Sequence, residues 1–212
     1  MNGNRALAPM EVAVREASRS GTRRVDPVRS MSRVGHARFS GAWGGAAVRV
    51  AFGMVWLADA ALKWLPAYRT NFLDQLRAGA QGQPRWVHPW FHLVVRLVSP
   101  RIALFAYGTA IVETLLAFAL LAGFARKFTY MGGAVYSLLV WATAEGFGRP
   151  YSGSSTDIGA AIIYTVVFLA LLVVNARSET SRYSVDRLIE RRWAWWHRVA
   201  EVGRAPAAGG DR

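Results

Sequence analysis

Four long apolar blocks limit the fold of this chain more than any other feature of its sequence. The hydrocarbon core of a bilayer is about 30 Å thick, and a helix that rises about 1.5 Å per residue needs about 20 apolar residues to cross it. Each block therefore predicts one membrane-spanning helix. The predicted spans are residues 46–65, 102–125, 128–147 and 158–175. The fold class that follows is all-α, an integral membrane four-helix bundle.

The blocks are bounded by residues that end helices or carry charge. Pro66 follows the first block, Pro100-Arg101 precedes the second, and only Arg126-Lys127 separates the second from the third. So short a connection predicts a tight antiparallel hairpin. The predicted domains are a basic N-terminal extension, expected to be disordered, a four-span domain and a C-terminal segment, over residues 1–42, 43–177 and 178–212.

The charge of the chain is concentrated at its ends. Only 18% of the residues are charged, fewer than the about 25% of soluble domains, yet the net charge is +13. By the positive-inside rule, the Arg-rich termini and the Arg126-Lys127 turn lie in the cytoplasm. The first outer loop, residues 66–101, fits this rule poorly because it carries five Arg and one acidic residue. The sequence holds neither a DNA-binding nor an RNP-type motif, so the expected partner of the basic ends is the lipid bilayer rather than nucleic acid.

Three segments outside the spans are amphipathic or apolar. Residues 68–78 place three apolar side chains on one face, and a second apolar run begins at His88. Both predict amphipathic helices that lie in the membrane interface. From Ser184 onward apolar residues recur at helical spacing, which predicts a cytoplasmic amphipathic helix on the membrane surface.

The chain has no cysteine, which excludes disulfides, thiolate metal sites and Cys-ligated iron–sulfur clusters in this polypeptide. A redox role would therefore need a cofactor that is not covalently bound through cysteine. His88 and His92 stand four residues apart, as two metal ligands on one helix face would. Because Pro89 lies between them and two His alone do not make a site, no metal is predicted, and an interfacial role is favoured.

Glu113 lies near the middle of the second predicted span, eleven residues from Ile102 and hence about 16 Å along the helix. Placing a charge at that depth costs about 2.5–3.5 kcal/mol on insertion scales. Two interpretations stay open. Glu113 is either a carboxyl that transfers protons or contacts a quinone, or a neutral side chain that only hydrogen-bonds across helices.

Asp59 and Lys63 stand four residues apart near the outer end of the first span, so they can form an ion pair along one helical face. The favoured interpretation is structural, with Lys63 extending outward to the membrane surface. In the alternative, Lys63 turns inward to Glu113 and the three residues form a charged centre. Helical rise places Glu113 about 12 Å deeper than Lys63, beyond direct contact unless the two helices are offset.

A polar mouth is predicted on the outer side. Glu145, Arg149 and Asp157 occupy or flank the loop between the third and fourth spans. Asp157 also fits the N-cap of the fourth span, where the helix dipole would stabilise its charge.

Several of these residues together resemble the DoxX/DoxD family of small four-helix membrane proteins. The resemblance covers residues 46–175 and includes RVAFGMVWLADAALKWL, the mid-span Glu113 in ETLLAFALLAGFARK, and STDIGAAIIY at the fourth span. It is most specific at Arg49, Gly53, Lys63, Glu113, Gly123 and Thr156-Asp157-Ile158-Gly159. The Arg-rich extension and the long tail are not expected of the minimal family unit.

The resemblance implies a subunit of a quinone-linked redox complex in a bacterial inner membrane, similar to thiosulfate:quinone oxidoreductase and working with a redox partner subunit. Its catalytic candidates are Glu113, Lys63 and Asp59. The candidate quinone contacts are Trp56, Trp141 and His88, although both Trp also fit packing or lipid-facing positions.

Two other functions stay open. One is a non-catalytic membrane scaffold whose polar groups only hold the bundle together. The other is a small-solute transporter, which fits the charged residues but lacks the broken helices or inverted repeat of many transporters. Self-association is also left open.

Overall fold

The computed structural model describes residues 27–148, 158–177 and 183–202, with side chains from Trp43 onward. The chain divides into two compact units, Met1–Phe39 and Ser40–Arg212, and the packing described below belongs to the second. Every regular element in the described part of the chain is a helix, as predicted. The α-helices are α1 Pro27–Lys63, α2 Pro66–Gly79, α3 His88–Val98, α4 Ile102–Ala122, α5 Arg126–Ala142, α6 Ala160–Arg177, α7 Val185–Glu190 and α8 His197–Ala200.

Three helical stretches of the described chain are long and apolar enough to cross a membrane. They are Trp43–Lys63, Arg85–Ala122 and Ala160–Arg177. The second joins α3 to α4 through short 3-10 turns, and the helical path breaks at Arg101, which has φ −140° and ψ 41°. α5 has 17 residues and is about 25 Å long by helical rise.

The helix ends differ from the predicted spans by more than two residues at three places. α1 begins at Pro27, so residues 27–42 are helical where a disordered extension was predicted. α5 ends at Ala142 rather than at residue 147, because Thr143 leaves helical backbone angles and Phe147 has a left-handed φ of 56°. α4 ends at Ala122 rather than at residue 125, because the next residue, Gly123, has a left-handed φ of 66° that favours glycine.

Side chains from α1, α4, α5 and α6 form the main core, and these four helices are called the main bundle. Their buried residues include Phe52, Trp56, Leu120, Tyr130 and Phe168. The ring of Phe52 meets that of Phe168 edge to face at 4.9 Å between centroids. The outward faces carry exposed large apolar side chains such as Leu104, Leu115, Val135 and Val166. Exposed apolar surface on this scale suits contact with lipid or another apolar partner.

α2 and α3, called the cap helices, pack on the first turns of α4. Phe72 and Leu76 of α2 form a second core with Val98 and Ala106. The indole of Trp90 in α3 donates a hydrogen bond to the Ala142 carbonyl at 2.8 Å, which ties the cap to the end of α5. The helices predicted to lie flat in the interface therefore cover one end of the main bundle.

Residues 183–202, called the C-terminal strap, cover the turn between α4 and α5. The carboxylate of Asp186, fully buried, accepts hydrogen bonds from the backbone N–H groups of Ala125 and Arg126 at 2.6 and 3.1 Å. It also pairs with the Arg126 guanidinium at 3.0 Å and accepts from the Trp196 indole at 3.0 Å. An acidic group at a helix N-terminus is favoured by the helix dipole, so Asp186 caps α5 from outside the helix.

The single amphipathic helix predicted from Ser184 is instead two short helices, α7 and α8. Residues 191–193 are not helical, and a 3-10 turn at Ala194–Trp196 separates the two. The backbone leaves helical angles at Trp193, which has φ −131° and ψ 96°. This break accompanies two separate contacts with the bundle, the Asp186 carboxylate at the start of α5 and the Ala200 carbonyl, which accepts a hydrogen bond from the Asn175 side chain at 3.0 Å.

Gly133 allows α5 and α6 to approach closely. A Cβ atom at Gly133 would overlap the ring of Phe168, whereas one at the neighbouring Gly132 would meet nothing within 4 Å. Gly133→Ala is therefore expected to lower the free energy of unfolding by about 1–3 kcal/mol through overpacking. Gly132→Ala, the matched control, should leave it unchanged or raise it by up to about 1 kcal/mol. Thermal unfolding of both purified variants measures the difference, and equal midpoints would contradict this account of the contact.

Candidate functional site

A cavity of about 600 Å³ lies between the cap helices and the main bundle. Its size falls in the range of about 300–1,000 Å³ that is usual for small-molecule sites. Much of the lining is apolar or aromatic, including Phe72, Trp90, Leu97 and Phe105. The polar and ionisable lining groups include Asp59, Lys63, Tyr68, Thr109, Glu113, Tyr136, Ser137, Glu145 and Tyr164.

Asp59, Lys63 and Glu113 meet at this cavity. The Lys63 ammonium lies 2.9 Å from the Asp59 carboxylate and 3.5 Å from Oε2 of Glu113. Glu113 is 3% exposed as a side chain, Lys63 19% and Asp59 34%. The three charged groups thus lead from a partly exposed carboxylate to a buried one, with one cation between two acids.

Two tyrosines complete the surroundings of this charged centre. The Tyr136 hydroxyl donates a hydrogen bond to Oε1 of Glu113 at 3.0 Å. The Lys63 ammonium lies 5.3 Å from the ring centroid of Tyr68, within range of a cation–π contact. Burial raises the pKa of the Tyr68 phenol well above its usual value, so this group in the cap stays protonated at neutral pH.

The favoured outward position of Lys63 is wrong, because the structure turns its ammonium inward to Glu113. The predicted separation of about 12 Å in depth between Lys63 and Glu113 holds only if the first two spans end at the same level in the membrane. α4 instead extends past the end of α1, and its first turns pack against α2. The Trp64 indole donates to the Thr114 hydroxyl at 3.0 Å, which places the end of α1 beside the middle of α4.

Two buried polar atoms around the cavity have neither a hydrogen-bond nor an ion-pair partner among the described residues. They are the indole Nε1 of Trp56 and Oγ of Ser137, and both residues are at most 2% exposed. Oε2 of Glu113 also accepts no hydrogen bond from the described residues, but it is ion-paired with the Lys63 ammonium at 3.5 Å. A buried polar group without a partner costs about 1–3 kcal/mol, so native interiors keep few of them. Two such atoms around one cavity fit a place where a bound molecule supplies the missing hydrogen bonds.

Ser137 and Tyr136 were not among the candidates found from the sequence. Both are polar groups inside an apolar block, which is the same signal that selected Glu113. A hydroxyl is far less costly to bury than a charge, so this signal was too weak to separate them from packing residues.

The other candidates lie elsewhere or have structural partners. The Glu145 carboxylate touches the cavity but accepts a hydrogen bond from the Ala161 backbone N–H at 3.0 Å, so it caps the start of α6.

The Trp141 indole donates a hydrogen bond to the Ile158 carbonyl at 2.9 Å, and the His88 ring is hydrogen-bonded to the Gln83 carbonyl at 3.0 Å. Neither Trp141 nor His88 lines the cavity, whereas Trp56 does. Arg149 and Asp157, the rest of the predicted polar mouth, lie outside the described residues.

His88 and His92 face each other with ring centroids 6.4 Å apart. Within the described ranges no three His, Asp or Glu side chains converge as a metal site.

Comparison of the chain with protein-family models, curated proteins and solved structures gave no match.

Proposed function

We propose that the chain is an integral membrane protein with four spans, formed by α1, α4, α5 and α6, and that both termini lie in the cytoplasm of a bacterium. The apolar outer faces of these helices support a lipid environment. Arg126, Lys127 and the Arg residues of the C-terminal strap lie together at one end, as the positive-inside rule expects of the cytoplasmic side. The cap helices and the cavity then face the outer side.

We further propose that the cavity binds the ring of a membrane quinone, in line with the resemblance to the DoxX/DoxD family. The observation that carries this proposal is the buried Glu113, whose carboxylate borders an aromatic-lined cavity and is held there between the Lys63 ammonium and the Tyr136 hydroxyl. A quinone ring is flat and apolar with carbonyl oxygens at its edge, so it suits aromatic walls and a few polar atoms.

The residues around the cavity can hold and move protons. Reduction of a quinone takes up two electrons and two protons. Asp59 is the most exposed of the three charged groups, and the ammonium of Lys63 bridges it to Glu113. Glu113 in turn contacts the Tyr136 hydroxyl. These contacts form a chain of proton-carrying groups that ends at a buried carboxyl beside the cavity.

The electrons come from a partner protein in this proposal. The polypeptide has no cysteine with which to hold an iron–sulfur cluster of its own. The resemblance to the DoxX/DoxD family implies that thiosulfate is the electron source. This chain would contribute the quinone site and the proton route of the complex.

Purification with native lipids tests the proposal. Bound quinone is extracted and identified, and reduction of an added short-chain quinone by thiosulfate is followed by absorbance in membranes that retain the partner protein. Glu113→Gln is expected to keep the fold and bound quinone but to slow reduction by about 10²–10⁴-fold, the usual contribution of general acid–base catalysis. Asp74→Asn, which changes an exposed carboxylate away from the cavity, is the control and should match the wild type. The absence of both bound quinone and reduction in the wild type would leave the scaffold function as the better account.

A further inference from the structure

We infer that Trp56 and Ser137 form a hydrogen-bonding pair for a ring oxygen of the ligand, separate from the charged centre at Glu113. This inference rests on the proposed quinone site and assigns its polar contacts. Trp56 comes from α1 and Ser137 from α5, so the pair draws on two different helices of the main bundle. Both residues line the cavity, and both are at most 2% exposed.

The chemistry of the two groups defines what they accept. An indole N–H only donates a hydrogen bond, and a serine hydroxyl can rotate to donate as well. Neither Nε1 of Trp56 nor Oγ of Ser137 has a hydrogen-bond partner in the described part of the chain. Ser137 lies in α5, where a serine often bonds back to the carbonyl four residues earlier, yet it does not do so here. Two donors without acceptors favour an oxygen that only accepts hydrogen bonds, such as a ring carbonyl.

The position of Trp56 separates this pair from the charged centre along the bundle. Trp56 precedes Lys63 by seven residues on α1, which is about 10 Å along the helix axis. The Trp56 ring also packs against Tyr136 and Phe168, with centroids 6.0 and 5.6 Å away, so its orientation is fixed. A ligand with oxygens on opposite edges of one ring would meet the Lys63–Glu113 charged centre, where the ammonium is the donor, at one edge and this pair at the other.

The inference predicts opposite effects on stability and on binding. Removing an unpartnered buried polar atom does not weaken the ligand-free protein, because no hydrogen bond is lost. Ser137→Ala should therefore leave the unfolding midpoint of the ligand-free protein unchanged or raise it. The same substitution should weaken quinone binding by about 3–10-fold, the value of one hydrogen bond. If Ser137 only packed against its neighbours, binding would not respond.

Titration of a short-chain quinone into the purified full chain in lipid nanodiscs tests this, with Ser137→Ala and Trp56→Phe beside the wild type. Ser99→Ala is the matched control, since Ser99 is exposed, bonds to the Val95 carbonyl and does not line the cavity. A second probe has the same tail and ring but no ring carbonyl oxygens. It should bind the wild type more weakly and should not distinguish the wild type from Ser137→Ala.

The outcomes separate this inference from the proposed function. Wild-type binding together with weaker binding by Ser137→Ala and Trp56→Phe supports both. Wild-type binding that neither substitution changes overturns the hydrogen-bonding pair and leaves the quinone site standing. A lower unfolding midpoint of ligand-free Ser137→Ala also overturns the pair, because it would reveal a structural hydrogen bond. No quinone binding by the wild type overturns both.

Discussion

Replacing Asp186 by Ala is expected to lower the free energy of unfolding by about 3–5 kcal/mol, as removal of one partner from a buried ion pair does. The Asp186 carboxylate is fully buried and accepts two backbone N–H groups at the start of α5, the Arg126 guanidinium and the Trp196 indole. Without it, the one acidic partner that Arg126 keeps within the described ranges is Glu201, at 3.5 Å. The C-terminal strap should then detach from the turn between α4 and α5.

Two measurements check this prediction. Unfolding in detergent reports stability, and limited trypsin digestion reports cleavage at Arg187, Arg191 and Arg192 of the strap. Both the lower midpoint and the faster cleavage are expected for Asp186→Ala. Asp74→Ala is the control, because Asp74 and Arg77 form an exposed pair with side chains 72% and 58% accessible. Removing such a pair changes stability by no more than about 1 kcal/mol. An Asp186→Ala variant that unfolds and resists trypsin like the wild type would contradict the assigned role.

The second large loss of stability is expected on replacement of Lys63. Lys63→Met removes the one ammonium that contacts both Asp59 and Glu113, leaving two neighbouring carboxyl groups beside the cavity. A buried carboxylate that loses its cation costs about 3–5 kcal/mol, and its protonation would limit that cost. Lys63→Met should therefore lower the unfolding midpoint clearly.

A second substitution isolates the cause. In Lys63→Met with Glu113→Gln, the buried carboxylate is replaced by a neutral amide, so much of the lost stability should return. The difference between the double variant and the sum of the single variants gives the coupling energy of the pair. Lys127→Met is the matched control because Lys127 is the other lysine of the chain, and its ammonium lies near the Arg198 carbonyl, at 3.5 Å, and the Phe128 ring, at 5.9 Å from the centroid. Additive effects of the two substitutions would mean that Lys63 and Glu113 do not interact.

The helical fold could be predicted from the sequence because long apolar blocks between Pro, Gly and charged residues permit few alternatives. The ends of the helices could not be predicted in the same way. α5 stops at Ala142 because the chain turns at Gly146 and the Glu145 carboxylate turns to the start of α6. That contact joins two elements, and nothing in the local apolar pattern marks it.

Only part of the candidate site could be predicted from the sequence, because contacts between helices are again not marked in the local pattern. Glu113 stood out because a charged side chain in an apolar block is costly. Its contact with Lys63 depends on how far α4 extends past α1, a tertiary offset that helical periodicity does not contain. Asp186 was missed because an acidic residue beside Arg187 in an amphipathic segment is typical of a solvent-exposed face, whereas here it is fully buried.

Photoaffinity labelling in native membranes tests the central claim most directly. A short-chain quinone with an azide on its ring is irradiated with the membranes, and the labelled peptides are identified by mass spectrometry with and without excess unlabelled quinone. The quinone site predicts competed labels on cavity-lining segments of α1, α4 and α5, around Trp56, Glu113 and Ser137. Labels confined to outward residues such as Leu104, Leu115 and Val135, unaffected by the competitor, would contradict it.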